Sequence, residues 1–171
     1  MIFFTSDHHF GHENIISFSN RPFNDLHHMH ASMTARWNNV VHKDDVVFHL
    51  GDFAFKQSPK RFIEKLNGHI HLIIGNHDKP SQCKGLFESV EESKLIKEDG
   101  HSFYLHHYPH ESWPQSHYGS LHLHGHVHIN SVHSLSQRTR RMNVNVELWE
   151  YTPIPISEVI KTLAEQKVVM L

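Results

Sequence analysis

The chain has almost no cysteine, no long apolar run and no surplus of either charge, and each absence removes a class of protein. Cys83 is the only cysteine in 171 residues, so no internal disulfide is possible and a reducing compartment is the natural setting. No stretch approaches the roughly 20 apolar residues that a membrane helix needs, so no membrane association is expected. The opening Met1-Ile2-Phe3-Phe4-Thr5-Ser6-Asp7 has neither a basic leader nor a small-residue cleavage site, which leaves the cytoplasm as the expected location. With 16 basic against 18 acidic residues the net charge is −2, and no general electrostatic pull toward nucleic acid exists. An anionic substrate must therefore be drawn by a local site or a bound cation. Only 8 glycines and 7 prolines are present, with no repeat or linker among them, so residues 1–171 are expected to form a single domain.

What the chain does have is histidine. There are 21, more than the 16 lysines and arginines together, spread from His8 to His133. Such a set is either a loose metal-chelating surface or includes one ordered site, and spacing separates the two.

Short apolar runs at 2–5, 46–50, 70–74, 102–105, 121–123 and 144–148 alternate with helix-like stretches, the pattern of an α/β domain. Leu26, Met29, Met33, Trp37 and Val40 recur at three- and four-residue steps and predict a helix over 26–41. A second helix is expected over 59–66, with Ser58 as N-cap, Pro59 in the first turn and Gly68 as the stop. A closing helix is expected over 157–166, capped by Ser157. Segments 108–120 and 130–141 read as loops. Trp113 in the first is expected to pack against the body, and Arg138, Arg140 and Arg141 in the second to be solvated.

Metal-binding side chains follow five of these runs. Phe4-Thr5 leads into Ser6-Asp7-His8-His9, and His49-Leu50 into Gly51-Asp52. Ile73-Ile74 leads into Gly75-Asn76-His77-Asp78, and Tyr104-Leu105 into His106-His107-Tyr108-Pro109. Leu123-His124 leads into Gly125-His126-Val127-His128. In open α/β sheets ligands bind outside the carboxyl ends of the strands, where residues distant in sequence converge. Asp7 and His9 are two apart, as are His126 and His128, which puts each pair on one side of an extended segment. Asp52 offers two oxygens with which to bridge two ions. Carboxylates suit Mn-type ions and imidazoles suit Fe, Zn or Ni, so this mixed set points to a binuclear divalent site. Gly51, Gly75 and Gly125 stand just before these donors, where a strand end must turn sharply.

These motifs resemble those of the calcineurin-like metallophosphoesterase family, in particular its small cap-less members from bacteria and phages. The opening Ser-Asp-His-His-Phe-Gly-His-Glu-Asn-Ile-Ile and the late Val146-Glu147-Leu148-Trp149 are similar to that subgroup as well. The resemblance implies an α/β fold of four layers, α-β-β-α, in which two packed mixed sheets are flanked by helices. It implies a metal-dependent phosphoesterase that hydrolyses a phosphate mono- or diester with metal-activated water. One ion is then implied to be held by Asp7, His9, Asp52 and His128, and the other by Asp52, Asn76, His107 and His126. Mn is the expected metal, with Fe, Zn or Ni as alternatives. His107 rather than His106 is implied because the family's ligand directly precedes Tyr-Pro, and His9 rather than His8 keeps the Asp-x-His spacing.

His77 matches a non-ligand histidine that contacts the phosphoryl group and protonates the leaving oxygen. Many relatives orient that histidine with an aspartate three residues after the bridging one. Here the position is Phe55, and Asp78 is the residue left to take the role. His12, Asn14 and Arg21 are candidates to reach a second phosphate oxygen. The expected substrate is a phosphorylated small molecule or nucleotide. Within the same chemistry the alternative is a nuclease or nucleotide phosphodiesterase. Outside it, the alternatives are a non-catalytic metal-binding scaffold of the same fold and a histidine-rich metal store.

Overall fold

The structure, a computed structural model, describes residues 1–128 and 140–165. Strands β1 (Ile2–Thr5), β2 (Val46–His49) and β3 (His69–Ile73) occupy the first three apolar runs. They pair in parallel, Phe3 beside Val47 and Val47 beside Ile70. Alternate side chains serve two different cores, which is why these strands read as continuous rather than alternating apolar runs. Phe3, Val47, Ile70 and Leu72 face one core, and Phe4, Phe48 and Ile73 the other.

The outer face of this sheet is closed by helices α1 (Ile15–Phe18), α2 (Leu26–Val40), α3 (Lys60–Ile63) and α4 (Pro80–Cys83). Helix α2 starts where the Asp25 carboxylate accepts the His28 N–H at 2.7 Å, a side-chain N-cap. It buries Met29, Met33 and Trp37, one turn apart, against Phe3 and Val47. Each such burial is worth roughly 1.5–3 kcal/mol. The Trp37 indole N–H is satisfied by the Asn67 carbonyl at 2.9 Å.

Strand β4 (Ser89–Glu91) extends the parallel set. A second group follows: β5 (Ser93–Glu98), β6 (His101–His106), β7 (Leu121–His124) and β8 (Arg141–Asn143). The chain closes with β9 (Ile154–Pro155) and helix α5 (Ile156–Glu165). Among the described residues this gives one sheet ordered β4-β3-β2-β1-β9 and another ordered β5-β6-β7-β8. Both are mixed, since β9 runs antiparallel to β1 and β5 antiparallel to β6. The two sheets pack through Phe4, Phe48, Phe103, Leu105, Leu121 and Leu123, with Val159 and Leu163 of α5 in the same core. On the far side of the second sheet, Trp113 brings the 108–120 loop to 5.3 Å from His122 and donates to Ser120 Oγ at 3.0 Å.

Several local expectations are corrected. Segment 144–148 is not a strand: Asn145 Oδ1 accepts the Glu147 N–H at 2.9 Å and turns Val146–Leu148 into a 3-10 helix, while the strand lies earlier, in β8. Ser157 is not a cap, because α5 begins at Ile156 directly from β9. Ser58 gives no side-chain cap either; Pro59 holds that position and α3 is short. Arg141 is buried and donates to the His110 carbonyl at 2.9 Å and Glu111 at 3.1 Å, so it is not a solvated loop residue. Arg138, His133 and the end of the closing helix at Gln166 lie outside the described residues. Among those described, no helix is long and apolar enough to cross a membrane.

Candidate metal centre

After β1, β2 and β7 the chain delivers donors through left-handed turns. Asp7, His9, Asp52 and His126 have φ of 59°, 51°, 55° and 67°, a region that costs a non-glycine residue roughly 1–3 kcal/mol. The strain is held in place by hydrogen bonds between the loops. Asp7 N–H donates to the Gly51 carbonyl at 2.9 Å, His9 N–H to the Asp52 carbonyl at 3.0 Å and Phe10 N–H to the Phe53 carbonyl at 3.0 Å. The loop after β7 joins through Gly125 N–H, which donates to the His107 carbonyl at 2.9 Å.

The donors then converge. His9 Nε2 lies 3.9 Å from Asp7 Oδ1, and His128 Nε2 lies 3.8 Å from the same oxygen and 3.3 Å from His9 Nε2. A few ångströms away, Asn76 Oδ1 sits 3.1 Å from His107 Nε2 and 3.0 Å from His126 Nδ1. Asp52 stands between the two groups, its Oδ2 3.5 Å from His9 Nε2 and 3.6 Å from His107 Nε2. In both Asp7-His9-His128 and Asp52-His107-His126 the donor atoms all lie within 4.8 Å of one another.

The electrostatics leave a need for positive charge. Burial pushes the Asp7 carboxyl up to about 6, against the pull of His107 and His128. Burial also drives His9 far below its ordinary range and lowers His126, so both are neutral imidazoles, the form that binds metal. His128 is the exception: burial lowers it, but its hydrogen bond to Glu147 and the negative charges of Asp7 and Glu147 together outweigh that and leave it raised.

Space is reserved around the carboxylates. A Cβ on Gly75 would lie 2.3 Å from Asp52 Oδ1, and one on Gly125 would lie 2.4 Å from Asp7 Oδ2. Two carboxylates, one amide oxygen and four imidazoles in two groups that share Asp52 fit a pair of divalent cations.

Residues 4–146 match the calcineurin-like phosphoesterase superfamily domain. The chain belongs to the calcineurin-like phosphoesterase superfamily. It is 34% identical over 175 residues to the protein MJ1445 of Methanocaldococcus jannaschii, covering 98% of this chain and 94% of that one. It is 29% identical over 180 residues to the gene 66 protein of Mycobacterium phage L5, covering 85% of this chain and 86% of that protein. The solved structure of AQ665, a protein of unknown function from Aquifex aeolicus, matches with a TM-score of 0.79 at 31% identity, covering 95% of this chain and 98% of that one. The chemistry that calcineurin-like phosphoesterases share is metal-dependent phosphoester hydrolysis, and the donors described above are of the kind it uses.

The other site residues named from the sequence fall in different places. His77 is at the open edge of the cleft; its backbone N–H donates to Asp52 Oδ1 at 2.9 Å and its ring meets that of His9 at 5.4 Å. His12 is also at the rim, 5.8 Å from His9 and stacked on Phe55. Asn14 is exposed and precedes α1 without capping it by its side chain.

Two assignments are corrected. Asp78 does not orient His77, because both its oxygens face the backbone. Oδ2 accepts from Asp52 N–H at 2.7 Å and Gly75 N–H at 2.9 Å, and Oδ1 accepts from Phe53 N–H at 3.0 Å. It clamps the two donor loops together. Arg21 does not reach toward substrate, because it is buried beneath the first loop. It donates to the backbone carbonyls of Asp7 at 2.8 Å and His8 at 2.9 Å, and to Glu147 Oε1 at 2.9 Å.

Glu147 is the residue that the sequence reading missed as a site component. Its carboxylate lies 3.0 Å from His128 Nδ1, which leaves Nε2 free to face Asp7. Burial pushes the Glu147 carboxyl up, but His128 and Arg21 outweigh that and hold it below its ordinary value. A carboxylate behind a ligand histidine fixes its tautomer and strengthens it as a donor. Glu147→Gln is therefore expected to weaken metal binding at the Asp7-His9-His128 group by about 10–100-fold and leave binding at the Asp52-His107-His126 group unchanged. Calorimetric metal titration reads this directly, and two unaltered binding steps would remove Glu147 from the site.

Proposed function

We propose that this chain hydrolyses a phosphate mono- or diester with two divalent ions, Mn foremost and Fe, Zn or Ni as alternatives. The observation that carries the reading is the placement of Asp52 Oδ2 between His9 and His107, one carboxylate shared by two donor groups. Such a pair of ions, when bound, lowers the pKa of a water toward about 7 and offsets charge on the phosphoryl oxygens of an in-line displacement.

The chain's own side chains do the rest. Asp7, His9, Asp52 and His128 would hold one ion, and Asp52, Asn76, His107 and His126 the other. Two carboxylates leave a local positive surplus against two divalent ions, which attracts the phosphate that the net charge of −2 does not. His77, exposed beside Asp52, is placed to contact the phosphoryl group and hand a proton to the leaving oxygen. The open rim suits a phosphorylated small molecule or nucleotide in the cytoplasm. A non-catalytic scaffold would have no use for seven converging donors, four of them on strained turns.

The test is a substrate panel of p-nitrophenyl phosphate and bis(p-nitrophenyl) phosphate, run on chelator-treated protein and after reloading with Mn, Fe, Zn or Ni. Hydrolysis that vanishes with the metal and returns with Mn is the expected result. No hydrolysis of either ester with any metal would contradict the reading.

A further inference from the structure

Beyond the metal cluster, the side of the cleft that holds His77 has its own construction. Phe55 is its centre. The His12 ring stacks on Phe55 at 4.0 Å and 23°, the His77 ring meets it edge-on at 5.1 Å, and Lys56 Nζ lies 5.2 Å from its centroid. Next to His77 is a cavity of about 80 Å³ lined by Lys56, Gln57, Lys79 and Gln82, room for a few waters or one tetrahedral anion. Asp78 borders the cavity too, but its oxygens are occupied by backbone N–H groups. Among the described residues neither Lys56 nor Lys79 is in an ion pair with a carboxylate.

This turn is built rather than loose. Phe55 N–H donates to the Phe10 carbonyl at 2.8 Å, and Lys56 takes a left-handed φ of 55°. Gly11 lies so close beneath that a Cβ there would sit 2.8 Å from the Phe55 carbonyl and 2.9 Å from Gln57 Cγ. Gln57 Oε1 is held by Arg61 at 3.2 Å. The cavity is thus fastened to the same loop that carries His9.

The chemistry of the leaving group connects these facts. An alkoxide needs a proton as it departs, and a histidine gives one best when a carboxylate supports it. Here the Asp52 carboxylate, though within 4.8 Å of a His77 ring nitrogen, makes no ion pair with that ring among the described residues, and the Phe55 ring occupies the neighbouring space. A departing phosphate is already a stable anion and needs positive charge more than a proton.

We propose that the substrate is a phosphoanhydride, whose second phosphate seats in the cavity against Lys56 and Lys79 while the first lies at the metal cluster. The proposal rests on the metal-site reading above and goes beyond it, extending the same hydrolysis from phosphate esters to a phosphoanhydride. In the reaction the oxygen of water bonds to the first phosphorus and the bond between that phosphorus and the bridging oxygen breaks. The electron pair of that bond departs with the second phosphate, which also takes up the proton that the water loses, directly or through His77.

The test compares wild type with the Lys56→Gln/Lys79→Gln double variant, both loaded with Mn, on a nucleoside diphosphate and on p-nitrophenyl phosphate. Both lysines are exposed, so the variant is expected to fold. Loss of two charge-assisted contacts should lower kcat/KM on the diphosphate by about tenfold or more and leave p-nitrophenyl phosphate within about twofold. An equal loss on both substrates, or none on either, overturns the subsite. Wild type that cleaves p-nitrophenyl phosphate but no diphosphate also overturns it and leaves the metal-site reading standing. Wild type inert on both overturns the metal-site reading and the subsite with it.

Discussion

Asp52→Asn is expected to lower phosphoesterase turnover by about a thousandfold or more, since losing several kcal/mol of charge stabilisation has that effect on rate. The reason is positional. Asp52 Oδ2 lies 3.5 Å from His9 Nε2 and 3.6 Å from His107 Nε2, so it is the one carboxylate common to both donor groups. An amide in its place has no charge and must aim either its oxygen or its NH₂ at the cluster; the NH₂ repels a cation, and the lone oxygen serves one ion at most. The fold should survive. Asp52 is one of the charges that push the Asp7 carboxyl up, so removing it relieves a buried like-charge contact. Unchanged or higher thermal stability alongside lost turnover is therefore expected, read by calorimetry and the p-nitrophenyl phosphate assay. Wild-type turnover from a variant shown to be free of metal would end the two-ion mechanism.

Acid should unfold the metal-free chain unusually steeply. Burial pushes His49 and His122 down to about 3 and His124 to about 4, and drives His8 well below its ordinary value. His8 and His49 meet nitrogen to nitrogen at 2.9 Å, which permits at most one proton between them. These four stay neutral in the folded chain but titrate near 6.5 once it unfolds. The unfolded state then binds more protons, and stability is lost as pH falls from about 6.5 toward 4. Two carboxylates act in the opposite sense: Asp7, raised to about 6, and Asp78, also raised by burial, take up protons in the folded chain before the unfolded one does. His9 and His30 are lowered by burial as well and His128 is raised, so the four histidines against the two carboxylates give a net uptake of at least about two protons, or roughly 3 kcal/mol per pH unit. Over two units that is comparable to the ~5–15 kcal/mol stability of a whole domain. Urea unfolding of chelator-treated protein from about pH 7.5 to 4.5 measures the slope directly. Stability that is flat or rising over that range would show that these histidines are not held neutral.

Much of this molecule is legible in its sequence, and the parts that are not share a cause. Runs such as Ile2–Thr5 and Val46–His49 announce themselves because both faces are buried, so their first three residues are all apolar. The donors are legible for a related reason: they follow those runs directly, at the carboxyl ends where the topology gathers them. Ser93–Glu98 escaped notice because its side chains, from Ser93 to Glu98, are exposed or half-buried and mostly polar. Ser89–Glu91 and Ile154–Pro155 are too short to show a period. At Val146–Leu148 a single side-chain hydrogen bond from Asn145 overrode an apolar pattern.

Residue roles were harder to read than positions. Asp78 stands beside His77 in sequence, yet its carboxylate is spent on backbone N–H groups of Asp52, Phe53 and Gly75. Arg21 and Glu147 are 126 residues apart and meet only because the Asn145 turn is bridged to Ser6 at the end of β1. No local spacing carries that information.

The central claim is that side chains from five strand ends hold two neighbouring cations with Asp52 between them. Anomalous diffraction from crystals grown with Mn tests it most directly. The account predicts two peaks about 3.5–4 Å apart, one beside Asp7, His9 and His128 and the other beside Asn76, His107 and His126. A single peak, or peaks scattered over the remaining histidines with none beside Asp52, would contradict it.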